Sequence, residues 1–251
     1  MLHVVIGLIS FITIFGGALV GLYGARRIPR DHLDQQTQSA VNVSVAVIGT
    51  LAALVLGLMI TAANRSFSAR SDEIRQLSLQ VIRMDRNLRR YGPEATDART
   101  KLFAWAALKT QLLFPEKGRV LPSPETGIAI LESVQDALLA LTPKTEAQKY
   151  LHTLCLTLSS NLIQARWSLE QRTGHNIPVP FLVLLIFWLT IVFASFGLFA
   201  PTNSVTITSL LLCAVAVSGG IMVIEELDNP MSGLIRMPFE PMQKALVEIA
   251  R

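Results

Sequence analysis

Four long apolar stretches alternate with polar sequence along this chain, in two pairs that flank a polar middle. Residues 2–22, 41–63, 179–200 and 205–224 contain no Asp, Glu, Lys or Arg. Each stretch has about 20 residues or more, enough to cross the ~30 Å hydrocarbon core of a bilayer as a helix. The pattern therefore predicts an all-α integral membrane protein with four transmembrane helices.

The polar middle is predicted to be helical as well. Apolar residues continue past the second stretch at a spacing of three, four or seven until Gly92 and Pro93 end the helix; they are Phe67, Ile74, Leu77, Val81, Met84 and Leu88. Three further helices are predicted, from about 93 to 114, from about 124, and from a cap at Thr142 to Gly174. Between the last two spans, Pro201 ends one helix and Ser204 is expected to cap the next.

This pattern divides the chain into four segments. Residues 1–63 hold the first two spans, 64–178 a helical stalk domain, 179–224 a transmembrane hairpin, and 225–251 a C-terminal tail. Four spans place the stalk and both termini on one side. That side carries seven basic residues near the membrane against three on the other, which predicts a cytoplasmic stalk and termini in the inner cell membrane.

Composition and motifs exclude several classes of function. The chain is 51% hydrophobic and 16% charged, as expected for a membrane bundle with one soluble module. The net charge of +4 is spread out, so no nucleic-acid partner is predicted. No nucleotide-binding, metalloprotease or hydrolase motif occurs, and Cys155 and Cys213 are predicted to be free thiols. The sequence therefore predicts neither an enzyme nor a cofactor, and the uncharged spans argue against a secondary transporter.

The second span carries two adjacent ridges. Gly49, Ala53 and Gly57 form a ridge of small residues suited to close helix contact. Thr50, Leu54 and Leu58 form a second ridge, about 100° further around the helix. In an oligomer the small ridge could pack against a neighbouring copy while the second ridge faces the axis; alternatively, both ridges pack within one subunit. In the first span, Gly17 and Gly21 also predict a close helix contact.

An acidic segment follows the fourth span. Glu225, Glu226 and Asp228 lie within four residues of one another, where their charge opposes the helix dipole. With Asn229 and Ser232 they offer oxygen ligands that would suit a hard cation. The alternative is a solvated turn that simply ends the membrane helix.

Both regions resemble the bestrophin-like membrane proteins of bacteria. Residues 56–58, Leu-Gly-Leu, followed by 65–67, Arg-Ser-Phe, are similar to the second-span LGF…RF/RW stretch of that family. Residues 226–233, Glu-Leu-Asp-Asn-Pro-Met-Ser-Gly, leading to Pro241 and Ala245, resemble its DLDRPFSG…PL..AL ending. The order of two spans, a helical middle, two spans and a short tail is similar over almost the whole chain.

A weaker resemblance extends to the bestrophin channels, which are pentamers whose second span lines an ion pathway with a hydrophobic neck. By this resemblance the neck positions fall on Thr50, Leu54 and Leu58. Arg65 and Arg70 would lie just beyond the neck and raise the local anion concentration, which Asp72 and Glu73 would oppose. Ion selectivity therefore does not follow from the sequence.

This sequence also departs from the channel pattern. Leucines replace the neck aromatics, Leu51 stands where the neck proline is expected, and the spacing from Gly57 to Arg65 is one residue shorter. Met231 and Ser232 replace the Phe-Gly of the post-membrane turn, and the long acidic calcium-binding stretch is absent. The resemblance thus implies a pore but not calcium gating.

The resemblance implies a homo-oligomeric ion channel, with the lipid bilayer, further copies of the chain in a pentamer, and inorganic ions as its partners. The alternative is a non-conducting membrane scaffold or sensor that binds a cytoplasmic partner through the helical stalk.

Overall fold

The computed structural model describes residues 2–27, 34–114, 124–171, 178–228 and 239–250. Within these ranges the helices are α1 (Leu2–Gly24), α2 (Gln35–Tyr91), α3 (Thr96–Leu113), α4 (Pro124–Leu139), α5 (Glu146–Gln171), α6 (Val179–Phe199), α7 (Ser204–Asp228) and α8 (Glu240–Ile249). Short 3₁₀ turns occupy Ala25–Arg27 and Pro93–Ala95, and the described ranges contain no strand. Helices α1, α2, α6 and α7 are long and apolar enough to cross a membrane. The prediction of an all-α protein with four such helices is confirmed.

Helix α2 has 57 residues. No proline interrupts it, and the predicted apolar stripe is buried from Ile74 to Leu88. The helix ends at Tyr91, and Gly92 takes a φ of 127°, a conformation that glycine adopts without strain. Pro93 then begins a 3₁₀ turn. The predicted stop at Gly92 and Pro93 is therefore confirmed.

The chain divides into two compact units, each with its own core. The first unit comprises Met1–Phe67 and His175–Arg236, and the second comprises Ser68–Gly174 and Met237–Arg251. Helix α2 contributes to both units, and α8 belongs to the second unit although it follows the last span along the chain.

The first unit is built on close packing of α1 against α6 and α7. A Cβ on Gly21 would overlap the carbonyl oxygen of Ala194, and one on Gly17 would crowd Thr190, so the backbones of α1 and α6 approach directly at these positions. The predicted contact at Gly17 and Gly21 is confirmed. Helix α2 adds Ala52, Met59 and Ala63 to the same core.

The core of the second unit surrounds Trp105 of α3, which is fully buried together with Leu102. The α2 stripe packs there with residues of α3, α4 and α5. Helix α8 joins this core through Met242 and Ile249. Arg89 of α2 donates to the carbonyl oxygens of Glu248 and Ile249 at 3.1 and 3.4 Å, which satisfies the C-terminal end of α8.

Two predicted helix caps are wrong by one to three residues. Helix α5 begins at Glu146, not after Thr142, and Thr145 is its cap. The Gln148 backbone N–H donates to Thr145 Oγ1 at 3.1 Å, while Gln148 Oε1 accepts from the Lys144 N–H at 2.8 Å. This reciprocal pattern resembles a capping box, which Thr142 does not form, and it explains why the helix begins after Thr145.

The second correction concerns α7. Asn203, rather than Ser204, caps this helix, because Asn203 Oδ1 accepts the Thr206 backbone N–H at 2.8 Å. Ser204 is already the first helical residue.

Candidate pore-lining surface

The ridge of Thr50, Leu54 and Leu58 lies on the surface of the subunit. Leu54 and Leu58 are each 61% exposed, and Thr50 is exposed beside them. The Thr50 hydroxyl donates to the Ala46 carbonyl oxygen at 2.8 Å, so its proton is bound within its own helix. These three side chains therefore present a largely apolar row outside the subunit.

The small ridge beside it is open as well. A Cβ added to Gly49 or Gly57 would meet no heavy atom within 4 Å, and Ala53 is exposed. This differs from Gly21, where backbone atoms of α6 fill the space. Both ridges are thus largely uncovered in the described part of the chain. Which of the two arrangements they adopt stays a prediction.

The opposite side of α2 anchors the helix in the first unit. Val45, Ala52, Met59 and Ala63 are buried at spacings of seven, seven and four. At about 100° per residue, Ala52 points about 160–200° away from Thr50 and Leu54. Helix α2 thus has one face in the core and one apolar face outside it, and the core face fixes which residues the other face presents.

The two basic residues predicted beyond this surface differ in exposure. Arg65 is exposed, whereas Arg70 is 6% exposed. Asp72, predicted to oppose them, is exposed and lies 3.8 Å from Arg75 in an ion pair across one helical turn. In a single subunit, Arg65 is therefore the accessible member of the predicted pair.

The acidic segment lies in the last turn of α7 and is buried. Glu225, Glu226 and Asp228 are each less than 5% exposed. Among the described residues, no three His, Cys, Asp or Glu side chains are arranged to hold a metal ion. Asn229 and Ser232, the other predicted ligands, lie outside the described residues. The end of α7 is therefore buried in this chain. The cation site and its alternative, a turn that ends the helix, both stay predictions.

The sequence pattern did not predict a buried ion cluster in the second unit. Asp85 is 3% exposed and accepts from Arg89 Nε at 2.6 Å and from Arg99 Nε at 2.9 Å. Asp85 lies between the core residues Met84 and Leu88 of the α2 stripe. An acidic residue at such a position, with Arg89 one turn later, is the sequence pattern from which a buried ion pair could have been predicted. The cluster ties α2 to α3.

Comparison with known proteins agrees with this architecture of four apolar helices and a helical second unit. The chain matches the Bestrophin-like domain over residues 12–242. It therefore belongs to the bestrophin-like family, as the resemblance of its second span and C-terminal segment implied. No curated protein matches it.

Solved structures show the same fold at low sequence identity. A variant of a bacterial bestrophin homologue from Klebsiella pneumoniae is 14% identical and matches with a TM-score of 0.68 over 100% of both chains. Another variant of that homologue is 13% identical, with a TM-score of 0.69 over 97% of each chain.

Proposed function

We propose that this protein is a homo-oligomeric ion channel in which α2 lines the pore and Thr50, Leu54 and Leu58 form its neck. The observation that carries the proposal is the outward position of this ridge. Leu54 and Leu58 are 61% exposed on a helix whose other face is held in the core of the first unit.

The open small ridge supports assembly around an axis. Gly49 and Gly57 leave backbone accessible, which allows a neighbouring helix to approach closely. In a ring, the small ridge of each copy packs against the next copy. The ridge of Thr50, Leu54 and Leu58, about 100° further round, then faces the axis. Five copies are the number implied by the family resemblance.

A ring of leucines acts as a gate without a moving plug. A narrow apolar constriction expels water, and ions do not cross a dry segment. Widening or wetting the ring allows conduction. Arg65, which is exposed, lies seven residues past Leu58, about 10 Å along the helix, and places positive charge near one mouth of the pathway. The proposed orientation in the inner cell membrane puts this mouth and both termini on the cytoplasmic side.

The test is ion flux through purified protein in liposomes, together with the mass of the detergent-solubilised oligomer. The proposal expects flux above that of empty liposomes and a mass of several chains, five if the resemblance holds. A monomer or dimer without flux would refute the channel and favour the non-conducting scaffold. The search would then turn to what binds the second unit, where Leu139 and Tyr150 are exposed.

A further inference from the structure

A cavity lies between α2 and α6, inside the first unit. Its volume is about 480 Å³, within the usual range for small-molecule sites. Gln38, Asn42 and Ser195 supply its polar groups, and Val45, Val192 and Phe196 supply apolar walls. It sits where α2 begins and α6 ends, so that its polar end lies near one boundary of the apolar spans.

Ser195 is the unusual residue in this cavity. Its side chain is buried, with the residue only 8% exposed, yet its Oγ has no hydrogen-bond partner among the described residues. Other hydroxyls of the spans donate to the carbonyl oxygen four residues earlier, as Ser10, Thr190 and Ser218 do at 2.5–2.8 Å. A buried hydroxyl without a partner costs free energy, which a ligand bringing an acceptor into the cavity would recover.

The lining defines the chemistry of that ligand. No lining residue is charged, while Asn42 and Gln38 add amide donors near the hydroxyl. The site thus recognises neutral acceptors, not a phosphate or an ammonium group. Phe196 is 52% exposed and Ala46 is exposed, so the cavity opens sideways on the surface of the membrane helices.

We propose that this cavity binds a membrane phospholipid by its glycerol-ester region. Ser195 and Asn42 donate to the ester carbonyl oxygens, and an acyl chain lies against Val192 and Phe196. Ester carbonyls lie at the boundary of the hydrocarbon core, the depth at which α2 begins and α6 ends. All of the lining comes from one chain, so the site does not depend on ion conduction. Gly49 of the small ridge is part of the lining, so in the proposed ring the next copy borders the lipid.

The test is lipid retention measured by native mass spectrometry. Purified protein in detergent is exposed to palmitoyl-oleoyl phosphatidylglycerol or to the matching phosphatidylcholine, and bound lipid is counted per chain. Wild type should retain either lipid similarly, because no charged side chain reads the headgroup. Ala46→Phe fills the cavity and should abolish retention. Ala216→Phe, at an exposed alanine of α7 away from the cavity, is the matched control and should retain lipid.

A second pair of variants tests the hydroxyl without changing the cavity volume much. Ser195→Ala should weaken retention roughly fivefold, the factor that one net hydrogen bond contributes. Ser218→Ala removes a buried hydroxyl already bonded to Ala214 and should leave retention unchanged. Wild type that retains no lipid, or equal retention by Ala46→Phe and Ala216→Phe, overturns the proposal and leaves the cavity to water or to a second copy of the chain.

Discussion

Gly21 of α1 and Gly197 of α6 lie where these two helices cross, and at each glycine the backbone of the other helix leaves no room for a Cβ. A Cβ on Gly21 would overlap the Ala194 carbonyl oxygen, and a Cβ on Gly197 would overlap the Ala18 carbonyl oxygen. Because both obstacles are backbone atoms, no change of side-chain rotamer can relieve the overlap.

Alanine at either glycine should therefore destabilise the first unit. We expect Gly21→Ala and Gly197→Ala to lower the free energy of unfolding by about 1–3 kcal/mol, the usual cost of overpacking. Gly16→Ala is the control, since a Cβ there meets nothing within 4 Å. Unfolding in mixed micelles with increasing denaturing detergent measures the difference. Equal free energies of unfolding for Gly21→Ala and Gly16→Ala would show that α1 and α6 can move apart to admit a Cβ without loss of stability.

Polar substitution in the proposed neck should increase leak. Leu54→Ser and Leu58→Ser each place a hydroxyl where the ring of leucines would otherwise stay dry, so liposome flux should rise. Leu212→Ser is the control, because Leu212 is similarly exposed, at 63%, but lies on α7. Unchanged flux in both neck variants, measured beside a conducting wild type, would remove the neck assignment.

Cysteine labelling separates a water-filled pathway from a surface covered by lipid. Single cysteines at Thr50, Leu54 and Leu58, in a background lacking Cys155 and Cys213, should react with a membrane-impermeant thiol reagent if the row faces a wet axis. A cysteine at Ala52, which is buried on the other side of α2, should stay protected. Protection at all four positions in the reconstituted protein would show that no water reaches the row, as expected for a shut neck, a lipid-covered face or a packed neighbour.

Removing the charge of Asp85 should destabilise the second unit. Asp85→Asn leaves Arg89 and Arg99 without their carboxylate, and the expected loss is about 1.5–3 kcal/mol per charged hydrogen bond, reduced because the arginines are partly exposed. Asp97→Asn is the matched control. Asp97 is exposed and its partner Lys101 is an i,i+4 neighbour, so the change should stay within about 0.5 kcal/mol. Thermal unfolding of the two variants should therefore differ clearly, and similar values would show that the Asp85 cluster contributes little.

Alkaline pH should weaken the fold through Cys155. Burial raises the pKa of the Cys155 thiol from 9.0 to about 11. Since the thiol ionises first in the unfolded chain, its contribution to stability is complete below pH 9 and is lost as pH rises towards 11. Cys155→Ser cannot ionise in this range, so its stability should fall less steeply. Tyr91, whose pKa is raised by burial and by Glu94, contributes equally to both proteins. If the free energy of unfolding fell equally with pH in wild type and in Cys155→Ser, the contribution assigned to the Cys155 thiol would be wrong.

The helices could largely be predicted because their signals are local. Uncharged stretches define the spans, and the stripe from Ile74 to Leu88 identifies the core face of α2 by its spacing alone. The outward position of Leu54 and Leu58 could not be predicted, since the same pattern fits a core contact or an external surface. The burial of Ala52 and Met59 shows which face of α2 is in the core, and it leaves Leu54 and Leu58 on the external surface.

The errors arise where several residues compete for one role. Thr142 and Thr145 can each cap α5, and the outcome depends on the Gln148 side chain returning to Lys144. The acidic residues after Ile224 were expected at a helix end, but their burial depends on tertiary packing that no local pattern reports. The cavity at Ser195 could not be predicted for the same reason, because it forms between α2 and α6, which are far apart in sequence.

The hydroxyl groups that bond back to their own helices bear on how this protein enters a membrane. Ser10, Thr50, Thr190 and Ser218 each satisfy their donor within the helix that carries them. These four hydroxyls can therefore enter hydrocarbon with their helices without waiting for a partner helix, whereas the Ser195 hydroxyl of α6 has no such bond. Assembly then becomes a later step, governed by the fit of glycines such as Gly21 and Gly197 rather than by a demand for hydrogen bonds.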